Sequence, residues 1–407
     1  MEKRFIPIIV LVIMISSILL LNQNRGYNKL SKREKLKDFN YMYKILEENY
    51  PFFEVNKRLT GVDWLSNKDR YIDMITQTSN DEDYYEVLTE ILSELHNHHT
   101  NMIDSEMFIQ LRGLYGETDA RYKEWTKQLN NPLAIKRYLK EEQSNINNLD
   151  KSNKIKSNNV YPKVIKKDKI AYLSIYTLNL YNIESDMQII KPFISEIKEY
   201  VALIIDIRGN GGGASSYWSD YLVPMLIDTP LIDTVYGVYR GGEFIESFIK
   251  SFDGGGYEAL LDIQEIKEYQ LKNLPPEIMN DFKYYTKLDR VIEPDNDDLN
   301  FNGDIYLLVD DGVYSSSEMF ASFAKHTGFA ILVGEKTSGD GIGSDPAICI
   351  LPNSGYAFSF SKEMGLTADG TCNEEFKTEP DIEVKAKRNP DIDRDRVVQK
   401  VIELIEY

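Results

Sequence analysis

The chain has 407 residues, enough for two or three domains with a sizeable core, and carries a formal net charge of -18. That acidic balance argues against non-specific nucleic-acid binding, which needs at least a basic patch. The only two cysteines, Cys349 and Cys372, lack metal-ligand spacing and rule out a fold that depends on a disulfide framework.

At the N-terminus, Lys3 and Arg4 precede an almost unbroken apolar run from Phe5 to Leu21, followed by polar Asn22 to Asn24. This is the pattern of an export signal or a membrane anchor. No small-x-small cleavage site and no lipobox cysteine closes the run, so residues 1–24 are read as an uncleaved or inefficiently cleaved signal-anchor, with a signal peptide as the alternative. The body of the protein is then extracytoplasmic at the membrane, or secreted if the segment is cleaved. Arg25, Lys29, Lys32, Arg33, Lys35 and Lys37 pull the other way under the positive-inside rule.

Residues 25–140 read as a helical region. An amphipathic helix is expected from Asp38 to about Phe53, stopped by Pro51, with a second around Trp64 and Ile72. Between Tyr84 and Leu95, apolar residues recur at steps of three and four and mark one buried helical face. That helix delivers the chain to His96-Asn97-His98-His99-Thr100, which holds three of the four histidines. A general base working near neutral pH, a polar turn and a metal site are all readings of this cluster; the spacing lacks the i, i+4 pair typical of a helical metal site.

Residues 141–169, rich in Asn, Ser and Lys, are expected to be a linker. Beyond it the pattern becomes α/β: strand Ile170–Ile175, helix Met187–Tyr200, and an almost wholly apolar strand Val201–Ile207. That strand runs into Arg208-Gly-Asn-Gly-Gly-Gly213, where a glycine cluster lets backbone N–H groups approach an anion. Phosphate binding, oxyanion stabilisation and a purely structural turn are all compatible with it, though the phosphate-loop pattern itself is missing. Residues 237–304, with Gly254 to Gly256 and Pro275-Pro276, read as an insertion on a core of residues 170–390. The strand Ile305–Val309 then meets Asp310-Asp311-Gly312, three serines at 315–317 and a helical pattern. One serine there could be an ordinary N-cap; a serine at a helix start is equally a place for a nucleophile. A strand Ala330–Val333, the stretch Gly334 to Gly343, a strand Tyr356–Phe360 and an amphipathic helix over 391–407 complete the chain.

In this order, the histidine cluster, DIRGNGGG and VDDGVYSSSEMFASFAK resemble the C-terminal processing peptidase and tricorn family of serine peptidases, over roughly Asp38 to Val384. The resemblance implies a crotonase/ClpP-like α/β core behind an N-terminal helical subdomain. It also implies an endopeptidase acting on peptides or unfolded protein segments through an acyl-enzyme, with neither cofactor nor metal. Ser315, the first serine of S-x-S-E, would be the nucleophile. The N–H of Ser316 and that of Gly211 or Gly212 would form the oxyanion hole. Where the processing-peptidase branch has its lysine base, this chain has Asp340, so a Ser-Lys dyad of that kind is not expected. The tricorn-like branch implies His99 as base and Glu374 as its supporting carboxylate, with Glu375 as the alternative. His98 and Ser316 depart from the tricorn pattern, and no PDZ domain is evident between His99 and Ile170. The loss of the lysine also motivates an alternative, an inactive relative that binds peptides or a hydrophobic ligand.

Overall fold

The computed structural model describes residues 29–116, 120–139, 159–252, 260–295 and 299–406. The expected signal-anchor, Gly254 to Gly256 and most of the expected linker lie outside the described residues. Among the described residues, no helix is long and apolar enough to cross a membrane.

The N-terminal part is helical. Helix α1 (Lys32–Asn49) starts at a capping box in which Ser31 and Glu34 satisfy each other's backbone N–H groups. Two helices follow, α2 (Phe53–Thr60) and α3 (Lys68–Gln77). Helix α4 (Asp81–Ser93) is capped by Asn80, carries three acids in its first turn against the helix dipole, and buries Tyr84, Leu88, Ile91 and Leu92. A three-residue strand β1 (Asn101–Ile103) leads to α5 (Ser105–Tyr115), α6 (Lys123–Leu129) and α7 (Pro132–Leu139).

The second part opens with strands β2 (Val160–Lys166) and β3 (Ile170–Ile175), helix α8 (Ile183–Ile197) and strand β4 (Ala202–Asp206). Strand β5 (Leu231–Tyr239), helix α9 (Glu243–Phe252), and strands β6 (Leu261–Asp262) and β7 (Tyr284–Ile292) fill the middle. Strand β8 (Asp304–Val309), helix α10 (Ser316–Thr327) and strand β9 (Ile331–Gly334) follow. Strands β10 (Ala347–Ile350), β11 (Ala357–Phe360), β12 (Met364–Leu366) and β13 (Ile382–Glu383), and helix α11 (Arg396–Glu406), close the fold.

Six strands form one sheet in the order β13-β9-β8-β4-β3-β2, parallel except for β2. β3 and β4 are buried on both faces, as strands covered by helices on each side must be. Leu203, Ile205 and Leu307 face the core under α8 and α10, whereas Ala202, Ile204 and Leu308 face α11. Strand β2 lies inside the range read as a linker. Its Pro162 and its lysines 163 and 166 suit an edge strand with a solvated side, and they are what hid it in the sequence.

Two antiparallel sheets, β1-β11-β10 and β12-β5-β7-β6, share a separate apolar core with the N-terminal helices. Residues 237–304 are divided between the two cores, with Ile292 and Phe301 packing with Leu203 and Leu307 of the six-stranded sheet. Val238, Tyr239, Phe248 and Tyr285 pack with Phe39, Leu46 and Trp125 instead.

Candidate active site

Ser315 follows β8 and the turn Asp310–Tyr314, with φ 57° and ψ -127°, a conformation that L residues rarely adopt. It stands at the N-cap of α10, yet its side chain makes no capping bond. The hydroxyl is turned instead to His99, whose Nε2 lies 3.1 Å from Ser315 Oγ. The other two serines are spent elsewhere: Ser317 Oγ donates to Asn210 Oδ1 at 2.7 Å, and the buried Ser316 Oγ has no partner among the described residues.

His99 sits just before β1, and its carbonyl accepts Ser359 Oγ–H from the adjoining β11 at 2.8 Å. Its ring lies against Tyr314, with centroids 4.7 Å apart. The second ring nitrogen, Nδ1, is 2.8 Å from Asp340 Oδ2. Asp340 is in the loop between β9 and β10 at φ 44°, and its side chain is 7% exposed. Burial alone would raise its carboxyl. The hydrogen bond and charge of His99, with hydrogen bonds from Asn97 and Ser361, outweigh burial and hold it below the ordinary range. Asp340 Oδ2 accepts from Asn97 Nδ2 at 2.8 Å, from Ser361 Oγ at 2.7 Å and from Tyr314 OH at 3.3 Å. An ionised carboxylate only accepts hydrogen bonds, so Nδ1 carries the imidazole proton and Nε2 is left to accept from Ser315.

Glu374, expected to support His99, makes no hydrogen bond or ion pair with it. It begins a short helix, Asn373–Phe376, and its Oε1 accepts from Asn97 Nδ2 at 3.2 Å. Its Oε2 is buried without a partner among the described residues. Burial and the negative charge of Asp340 push this carboxyl well above its ordinary range, toward the neutral acid. The shorter Asp340 takes the place beside the imidazole because its left-handed backbone turns it inward. Glu375 is further away, in an ion cluster with Arg58, at 2.6 Å, and Glu277. The three N-terminal histidines go to three different partners. His96 Nδ1 faces Asn56 and the Glu94 carbonyl, His98 packs edge-on against Tyr314, and only His99 reaches Ser315.

The glycine loop is locked onto the serine turn. Asp310 Oδ1 accepts the N–H groups of Gly209 and Gly312 at 2.7 and 3.0 Å. At Gly212, φ is 107° and a Cβ would stand 2.9 Å from Ser315 Cβ, so only glycine permits this approach. Of the expected oxyanion donors, Gly212 is already engaged, its N–H donating to Asn210 Oδ1 at 3.0 Å. The N–H groups of Gly211 and Ser316 make no hydrogen bond among the described residues. Asp340, as the partner of His99, and Asn97, as the group that fixes Asp340, are what sequence reasoning missed. The signal available was an acid at the position where a base was expected.

The chain matches Peptidase family S41 over residues 169–384 and the tricorn protease C1 domain over residues 31–93. No curated protein matches it. Among solved structures it is similar to a candidate peptidase from Parabacteroides merdae, with a TM-score of 0.58 and 21% identity over 92% of this chain and 97% of that one. It is also similar to mature CPAF, with a TM-score of 0.53 and 14% identity over 86% of this chain and 92% of that one. At these identities the likeness carries the fold, which is the mixed α/β core with helical N-terminus expected above. Because the family match spans more than half of the chain and includes Ser315, the chain belongs to Peptidase family S41 and is a serine peptidase.

Proposed function

We propose that the protein is an endopeptidase that cleaves peptides or unfolded protein segments through an acyl-enzyme on Ser315, using His99 as base and Asp340 as the partner of that base. The observation that carries this reading is the line from Ser315 Oγ to His99 Nε2 at 3.1 Å and from His99 Nδ1 to Asp340 Oδ2 at 2.8 Å. His99 takes the hydroxyl proton as Ser315 attacks the substrate carbonyl carbon, and Asp340 stabilises the imidazolium that results. The carbonyl oxygen, now an oxyanion, is met by the N–H groups of Ser316 and Gly211. When the tetrahedral adduct collapses, the C–N bond breaks and His99 returns its proton to the leaving amine. Water, deprotonated by the same imidazole, then releases the acid and restores the hydroxyl.

Asp340 in place of a lysine motivated the reading as an inactive binder. Its hydrogen bond to His99 instead supplies the group that a Ser-His pair needs, and this supports turnover. The test is labelling by a fluorophosphonate, which reports an activated serine. An adduct located on Ser315, absent from Ser315→Ala and His99→Ala, is expected; a folded wild-type chain that takes no label would contradict the proposal.

A further inference from the structure

Asn210 is fully buried in the middle of the glycine loop, and both ends of its side-chain amide are used. Nδ2 donates to the carbonyl of Ile175, the last residue of β3, at 3.0 Å. Oδ1 accepts twice: from the N–H of Gly212 at 3.0 Å, and from Ser317 Oγ, in the first turn of α10, at 2.7 Å. The main chain of the same residue continues the pattern. Its N–H donates to the Ile207 carbonyl at 3.0 Å, and its carbonyl accepts the N–H of Tyr314, next to the nucleophile, at 3.3 Å. One residue thus joins the end of β3, the glycine loop and the chain on both sides of Ser315.

The place calls for an amide. An aspartate would offer the acceptor without the donor and would bury a charge, and a leucine of similar shape would leave Gly212, Ser317 and Ile175 without their partner. The two donors assigned to the oxyanion stand on the walls that Asn210 joins: Gly211 lies between Asn210 and Gly212, and Ser316 between Ser315 and Ser317. Donors stabilise an oxyanion only when they are already aimed at the place where the charge develops, so the spacing of these walls bears on the rate. Among the described residues, Asn210 makes no hydrogen bond to His99 or Asp340, so it acts on the oxyanion and not on the proton relay.

We propose that Asn210 is the positioning residue of the oxyanion hole, with Ser317 as its anchor on the helix side. This rests on the peptidase reading above and adds what holds the two walls in register. The experiment uses Ser317→Ala, Asn210→Ala and the double variant. Each is measured with one quenched peptide that the wild type cleaves and with the trifluoromethyl ketone of the same sequence, which forms an oxyanion adduct on Ser315. Alanine suits a helical position, so Ser317→Ala keeps the fold and carries the test if Asn210→Ala does not fold. Turnover number should fall about tenfold in Ser317→Ala and about 100-fold in Asn210→Ala, with KM within about threefold of wild type, because the interaction is realised in the transition state. The inhibition constant of the ketone should rise by the factor by which kcat/KM falls. The double variant should be no slower than Asn210→Ala, since both substitutions cut one link. The inflection of kcat/KM with pH should stay at its wild-type position, since the relay is untouched. Wild-type kcat and ketone affinity in Ser317→Ala, or a loss carried by KM alone, on a chain that accepts the fluorophosphonate, would overturn the Asn210 assignment and leave the peptidase reading intact. No turnover and no label on Ser315 would defeat that reading, and the assignment with it.

Discussion

Three buried carboxyls lie close to Ser315, and their surroundings push them in different directions. Asp340 is held ionised by the donors around it, while Glu374 is pushed toward the neutral acid by burial and by the charge of Asp340. The third, Glu318, is fully buried three residues after Ser315, and burial pushes it up to about 7 despite hydrogen bonds from Thr378 at 2.7 Å and Asn373 at 2.6 Å. Its folded value lies above the ordinary 4.5, so folding favours the protonated form. The stability it allows is full below the unfolded value and is lost as pH rises through the folded one. Glu318→Gln removes that loss. Urea unfolding should show the variant gaining on wild type by about 3 kcal/mol between about pH 5 and pH 9, and a constant difference across that range would show that another group titrates. At this scale Ser315 and His99 were legible, because each stands in a short pattern with its own chemistry. The inward turn of Asp340 was not, because a left-handed backbone at a non-glycine residue leaves no mark in the sequence.

Among the elements, the long periodic helices and the buried parallel strands were readable, since a face repeating every three or four residues, or a wholly apolar run, has few other uses. Of the antiparallel strands, β11 was readable from the alternation of Tyr356–Phe360, but β1, β5 and β7 were not. β1 is only three residues long, and β5 and β7 mix tyrosines, lysines and aspartates because one face of their sheet is wet. Pairings such as β1 with β11 join residues more than 250 apart, beyond any local pattern. The glycine loop was visible as a strand-to-helix turn, but its contact with the nucleophile was not. Gly212→Ala tests that contact, since a methyl there must displace Ser315. Turnover should fall about 100-fold with a near-native circular dichroism spectrum, and wild-type turnover would show that the approach is not needed.

Across the whole molecule, the site is shared between bodies. His99 comes from the N-terminal helical body with its small sheet, Ser315 from the six-stranded sheet, and Asp340 from a loop that runs between them. That places a premium on the contacts that keep late strands on early helices. Asp38 of α1, fully buried, accepts the N–H groups of Asn353 and Ser354 at 2.8 and 2.7 Å and the Asn353 amide at 2.7 Å, in the turn between β10 and β11. Asp38→Ala leaves those donors without their carboxylate and should cost about 3 kcal/mol in urea unfolding; a loss under about 0.5 kcal/mol would mean that the turn holds without it. The central claim is that the relay ends on Asp340 and not on Glu374. It is tested most directly by kcat/KM on a quenched peptide for Asp340→Asn beside Glu374→Gln. A neutral amide at 340 removes the charge that fixes the imidazole tautomer, so Asp340→Asn should fall about 10³-fold to 10⁴-fold, while Glu374→Gln, at a carboxyl that burial and Asp340 push toward the neutral acid and that makes no hydrogen bond to His99, should stay within about tenfold of wild type. The reverse order, with Glu374→Gln crippled and Asp340→Asn active, would contradict the account.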